Sequence, residues 1–186
     1  MPLPHRCVVP VPLGIPGDHS SLRAVPAELL VVLGKTGVMV SPAIVSATRT
    51  VAAPAQEIFD LLATPRRHGE IDGSGSVRGP QARTPERLSP GAKFGMEMRI
   101  GLPYKILNEV VEFVEPSRIA WRHFGGHVWR YLLESVDADH TRVTEQFDAS
   151  GSRAPLVLTV IRARSRNAKA INATLARLQR WARDRS

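Results

Sequence analysis

The chain has little with which to staple, anchor or energise itself. One cysteine, Cys7, excludes an intramolecular disulfide and any cysteine-rich metal site. The uninterrupted apolar run Leu29 to Leu33 is far too short to span a bilayer, which takes about 20 residues. The early residues carry Asp18 and no continuous apolar core of a signal peptide. No GxGxxG is present, and the glycines of Arg66 to Val77 are not followed by the lysine of a phosphate-binding loop. There is no GxSxG elbow for a nucleophilic serine either. A cytoplasmic protein without a cofactor fits these absences.

What is present divides in two. Residues 1 to 43 hold Pro2, Pro4, Pro10, Pro12, Pro16, Pro26 and Pro42, with Gly14, Gly17, Gly34 and Gly37 between them. Such punctuation breaks any long element. This segment is expected to be a poorly ordered extension, or else the natural start is Met39. Residues 44 to 186 are expected to form one domain, large enough to bury its own core.

Within the domain the longest periodic stretch is the last. From Ala154 to Arg183, apolar residues including Leu156, Val160, Ile161, Ala168, Ile171, Leu175, Leu178 and Trp181 recur at three- and four-residue steps, the period of an amphipathic helix. The formal charge of +8 is concentrated there: from Arg153 on, nine Lys/Arg stand against Asp184 alone. Arg162, Arg166, Lys169, Arg177 and Arg180 form a stripe opposite the apolar one. Without a reader motif or interleaved aromatics the stripe reads as a solvated face, and no nucleic-acid partner is expected. Cations near a helix C-terminus are also favoured by the macrodipole.

Upstream the period changes to two. Val45 to Val51 reads as a strand with Val45, Ala47, Arg49 and Val51 on one face. Pro54 opens a short helix to Ala63 that buries Ile58, Phe59 and Leu62, and Thr64-Pro65 ends it. Arg66 to Val77 is a loop or a second short helix, and residues 79 to 92 are a proline-rich connection. Strands follow: Phe94 to Ile100, Lys105 to Glu115 with Val111 and Phe113 apolar, Arg118 to Phe124, Val128 to Val136, and Arg142 to Ala149. Strands in succession before a long helix make an α+β fold. A tight turn at Gly125-Gly126 is expected to pair Phe124 with Val128, placing His123 opposite Trp129 and Trp121 opposite Tyr131. The next hairpin would set Glu145 opposite Leu133.

The order of elements, with ILNEVVEFVEPSRIAWRH, TRVTEQFD and INATLARLQRW, resembles the START-like (SRPBCC) superfamily, in its polyketide cyclase/dehydrase and lipid-transport branch. The resemblance covers about Ile44 to Trp181. It implies a helix-grip: a curved antiparallel β-sheet wrapped around the C-terminal helix, with two short helices after the first strand and a cavity between sheet and long helix. The implied lining is Met96, Met98, Trp121, His123, Trp129, Tyr131, Glu145 and Phe147 from the strands, with Asn167 and Ile171 from the helix. The expected partner is a hydrophobic or aromatic small molecule, lipid- or polyketide-like. The alternative is a cyclase or dehydratase that moves protons through His123, Glu145 or Tyr131.

His123 titrates near neutral pH and Glu145 sits between apolar neighbours, so both are acid/base candidates. Under the expected register they are too far apart to form a dyad. His68, Glu70 and Asp72 alternate as metal ligands might on a strand, but no fourth ligand follows and no metal is expected. His5, His19, His127 and His140 fall in turns or the extension and read as solvated.

Overall fold

The structure is a computed structural model that describes residues 31–33, 38–40, 43–152 and 157–185, with side chains placed for 43–152 and 165–185. Residues 1–30, including Cys7, His5 and His19, lie outside the described residues. So do Ala154 to Leu156 at the expected start of the long helix, and the side chains of Val160, Ile161 and Arg162.

Among the described residues, nine strands form one antiparallel sheet: β1 (Val31–Leu33), β2 (Val38–Val40), β3 (Ile44–Val51), β4 (Val77–Pro80), β5 (Lys93–Ile100), β6 (Leu102–Val114), β7 (Arg118–His123), β8 (Val128–Ser135) and β9 (Thr141–Asp148). Their order is β1-β2-β3-β9-β8-β7-β6-β5-β4. β3 joins β9 along its whole length, from Ile44 opposite Asp148 to Val51 opposite Thr141. That pairing puts the beginning of the meander beside its end. β1 and β2 form a small hairpin on the free edge of β3, held there at Met39–Ser46 and Val40–Val45.

Between β3 and β4 lie α1 (Ala55–Leu62), a 3-10 turn at Pro65–Arg67 and α2 (His68–Ile71). Pro54 stands at the N-cap of α1 with an extended ψ of 145°, and Glu57 lies in its first turn, where the helix dipole favours an acid. α1 buries Ile58, Phe59, Leu61 and Leu62 completely. Leu88, from the long connection before β5, tucks in beside it, its N–H donating to the Ala63 carbonyl at 2.7 Å.

The long helix α3 (Val157–Arg183) closes the fold. Ile171, Leu175 and Leu178 lie on one face at three- and four-residue steps and are fully buried against the inner face of the sheet and the residues of α1. Two polar contacts fix its register. Gln179 donates to the Thr50 carbonyl at 2.8 Å and accepts from Arg49 at 3.1 Å. At the other side, the Gly73 N–H donates to Thr174 Oγ1 at 3.0 Å. A Cβ on Gly73 would stand 2.2 Å from the Ala170 carbonyl oxygen, so only glycine lets this loop meet the helix backbone.

The structure corrects two registers. β7 and β8 pair through Arg122–Val128, Trp121–Trp129 and Ile119–Tyr131, two residues from the expected alignment, because the turn closes between the backbones of His123 and His127. β8 and β9 pair Tyr131 with Glu145, so Glu145 faces a phenol and not Leu133. A bulge between Val110 and Glu112 reverses the parity of β6. Val110 is buried before it, Phe113 packs on Phe59 after it, and Val111, expected on the apolar face, is exposed.

Two outcomes follow from this packing. Ile171→Asp places an unpaired charge in the helix–sheet seam and should remove several kcal/mol, enough to abolish a cooperative melt in a marginal domain. An unchanged melting temperature would show that the seam lies elsewhere. Deleting residues 1 to 38 should leave a cooperative melt, because β3 retains its full pairing with β9; loss of that melt would make the extension part of the core.

Candidate functional site

Between α3 and the sheet lies a cavity of about 790 Å³, within the range of small-molecule sites. Along the described part of α3 one face, with Ile171, Leu175 and Leu178, is sealed in the core. A neighbouring face presents Asn167, Ala170, Ala173 and Thr174 to open volume. Five strands contribute large side chains by their two-residue period: Phe94, Met96 and Met98 from β5, Tyr104 and Ile106 from β6, Trp121 from β7, Trp129 and Tyr131 from β8, and Phe147 from β9. Exposed Ile100, Tyr104, Ser152, Arg166 and Lys169 mark the mouth.

Of the ten residues named as lining, Met96, Met98, Trp121, His123, Trp129, Tyr131, Glu145, Phe147 and Asn167 border this cavity. Ile171 does not. It is fully buried one turn further on, in the seam.

The aromatic groups form a connected wall. Trp121 is the hub: it stacks on His68 with centroids 5.1 Å apart, meets Phe94 edge-on at 5.7 Å, and lies 5.6 Å from Tyr131. Trp129 packs against Phe147 at 5.0 Å. His68, Glu70 and Asp72 do not converge. His68 points inward and donates from Nε2 to the Leu62 carbonyl at 2.8 Å. Glu70 turns outward to Arg67 at 2.9 Å. Asp72 accepts from the Ser74 and Val77 backbone N–H groups, each at 2.9 Å.

His123 and His127 stack at the rim, 4.5 Å apart and nearly parallel. His127, expected to be solvated, also touches Phe147 at 5.1 Å. Burial lowers the pKa of His68 and of His123, and burial plus the neighbouring His123 pushes His127 down to about 4. All three rings are therefore neutral near pH 7. His140 is exposed and pairs with Asp137 at 2.9 Å.

His123 and Glu145 make no contact. The pair that the structure does assemble is Tyr131 with Glu145: the phenol donates to Glu145 Oε1 at 2.9 Å. Glu145 is 2 % exposed. Its Oε2 has no partner among the described residues. Burial raises the Glu145 pKa well above the usual carboxylate range against the pull of the Tyr131 hydrogen bond, and the charge of Asp72 adds to the rise. The Tyr131 pKa is raised as well, first by burial and then by Glu145. The signal for this pair was the alternation of Tyr131 and Glu145 on inner faces; the hairpin register needed to join them was not legible. His68 was hidden by the brevity of its helix, and Phe94 lay on a face already named.

Protonation of Glu145 has a measurable consequence. Its folded pKa lies above the ordinary value of 4.5, so the folded protein holds a proton that the unfolded chain releases. That contribution is complete below the unfolded pKa and is lost as the pH rises through the folded one. The buried histidines have the opposite sign, costing stability as the pH falls below about 6.5. Comparing the protein with Glu145→Gln cancels the histidine contribution. The stability advantage of the Gln variant should grow as the pH rises from about 5 through the folded pKa of Glu145, by at most about 1.4 kcal/mol per pH unit. A difference independent of pH would show that Glu145 is ionised throughout.

No family model matches the chain. The uncharacterized protein Rv0088 of Mycobacterium tuberculosis (strain H37Rv) is 41% identical over 157 residues, covering 81% of this chain and 70% of that protein. The uncharacterized protein MT0096 of the CDC 1551 strain matches with the same identity and coverage. Among solved structures, the polyketide_cyc-like protein Cgl2372 of Corynebacterium glutamicum has a TM-score of 0.54 at 19% identity, covering 74% of this chain and 89% of that one. The ginseng major latex-like protein 151 of Panax ginseng has a TM-score of 0.56 at 12% identity, covering 75% and 96%. Among the described residues, no helix is long and apolar enough to cross a membrane. With its sheet gripping α3, the chain shares the fold of these solved structures, and it belongs to one family with the two mycobacterial proteins.

Proposed function

We propose that this protein binds a hydrophobic or aromatic small molecule, lipid- or polyketide-like, in the cavity between sheet and α3. One observation carries the reading: a volume of about 790 Å³ is walled by Phe94, Trp121, Trp129, Phe147 and two methionines. Apolar walls with a few placed polar groups are what such ligands require, and methionine adapts to varied shapes. Near neutral pH the three histidines of the lining are uncharged, which keeps the interior hospitable to neutral matter.

The Tyr131–Glu145 pair favours a second reading, a cyclase- or dehydratase-type enzyme. A carboxylic acid whose pKa is raised by burial moves toward the range of a general acid. The likeness to a polyketide_cyc-like protein is compatible with either reading, since one fold carries many activities.

Tryptophan emission separates the outcomes. Trp181 lies outside the cavity lining, beneath Arg185 at 4.4 Å, so Trp181→Phe is the background. On it, an apolar aromatic ligand should change the emission saturably, and Trp121→Phe and Trp129→Phe should each remove part of the change. Binding without conversion supports the carrier. Turnover of a polyketide-like compound that falls 10²-fold or more in Glu145→Gln supports the enzyme. A protein that binds nothing apolar contradicts both.

A further inference from the structure

Polar groups border the cavity at several points, buried Asn108, Ser76 and Thr174 among them, and two clusters differ in kind. At the mouth, exposed Arg166 and Lys169 stand in solvent. Well inside, Tyr131 and Glu145 are buried to 6 % and 2 % exposure. The phenol occupies Glu145 Oε1, and Oε2 is left without a partner among the described residues. A buried polar atom without a partner costs about 1–3 kcal/mol, so native proteins rarely leave one without cause. Here the atom belongs to a residue that borders the cavity.

The chemistry of that atom narrows what can meet it. Asp72, whose carboxylate is held by the Ser74 and Val77 N–H groups, adds negative potential, and His68 is a neutral ring bound to a carbonyl. Among the described residues, no lysine or arginine borders the cavity except Arg166 and Lys169 at the mouth. An anionic group placed beside Glu145 would have no counter-charge there. A neutral oxygen would have a donor once the carboxyl, whose Oε2 is closed off in this structure, turns toward it.

We propose that the inner end of the cavity is an anchoring subsite for a neutral oxygen: protonated Glu145 donates from Oε2 to a carbonyl, hydroxyl or ether oxygen of an otherwise apolar ligand, while Tyr131 holds Oε1. The proposal rests on the ligand-binding reading and deepens it, selecting ketones, esters, alcohols and quinone-like molecules over hydrocarbons and over carboxylates entering head-first. Trp121, 5.6 Å from Tyr131, gives the ligand an aromatic surface beside the anchor.

The test uses three naphthalene probes of equal size with the full chain: a dialkylaminonaphthyl ketone, its analogue with the carbonyl reduced to methylene, and the corresponding carboxylate. Emission of the bound ketone reports directly whether its carbonyl accepts a hydrogen bond. In the unmodified protein it should be red-shifted from its position in alkane, and an alkane-like emission overturns the proposal. Ratios of affinity remove differences in partitioning. The ketone-to-methylene ratio should fall about ten-fold when Glu145→Met is combined with Tyr131→Phe, the scale of one net hydrogen bond. Replacing both partners avoids stranding the phenol and keeps the volume, and Glu145→Gln, which retains a donor, should preserve part of the ratio. An unchanged ratio in the double variant, or a carboxylate that binds best and depends on Glu145, overturns the anchor but leaves ligand binding standing. Failure of all three probes to bind contradicts the binding reading itself.

Discussion

Everything in this fold depends on where α3 is gripped and where it is released. From Ile171 onward its apolar stripe is sealed against the sheet and α1, with Leu175 and Leu178 fully buried. Burying side chains of this size contributes about 1.5–3 kcal/mol each. Beside that stripe the helix is met by the loop at Gly73, whose missing side chain permits backbone contact with Ala170 and Thr174. A helix sealed along one face and open along its neighbour leaves a space beside it. The cavity is the remainder of that asymmetric packing.

The same asymmetry explains why polar residues can lie so deep. A carboxyl and a phenol side by side inside an apolar wall are costly, and replacing such a pair by apolar residues is often neutral or stabilising. Tyr131 and Glu145 sit on neighbouring strands in direct register, so the sheet holds their side chains together without help from any loop. That placement makes the pair rigid, the quality that a binding or proton-donating group needs. The outer face of the sheet spends its charges differently: Arg130 meets Glu112 at 2.6 Å and Arg118 meets the same carboxylate at 3.2 Å, in partial contact with solvent.

How much of this was readable beforehand follows from what each pattern encodes. Alternation assigns a face to every residue of a strand and needs no knowledge of its neighbour, so Met96, Trp121, Tyr131 and Glu145 were all legible as inner residues. Partners across strands depend on the turn, and Gly125-Gly126 is compatible with more than one closure. The backbone bonds of His123 and His127 selected a register two residues from the expected one. The bulge in β6 has no composition signal, and it moved Val111 outward. Ile171 carried the helical period correctly, but periodicity alone cannot say which turn of an apolar stripe faces a wall and which a cavity. His68 sits on a helix of four residues, too brief for any period to show.

The titrating groups of the cavity complete the picture. Burial disfavours charge, so it lowers histidine and raises carboxylic acid by one mechanism. His68, His123 and His127 move down while Glu145 moves up. Around neutral pH the three rings are uncharged, and burial favours the protonated form of Glu145. Among the described residues, the remaining formal charge in the lining belongs to Asp72, held by its own loop, and to Arg166 and Lys169 in the solvated mouth. A wall so arranged has hydrogen-bonding capacity at its inner end, under the negative potential of Asp72. The basic stripe of α3 is therefore divided by the fold: Arg166 and Lys169 belong to the entrance, whereas Arg180 is turned to solvent near the helix terminus. One periodic pattern in the sequence serves two environments.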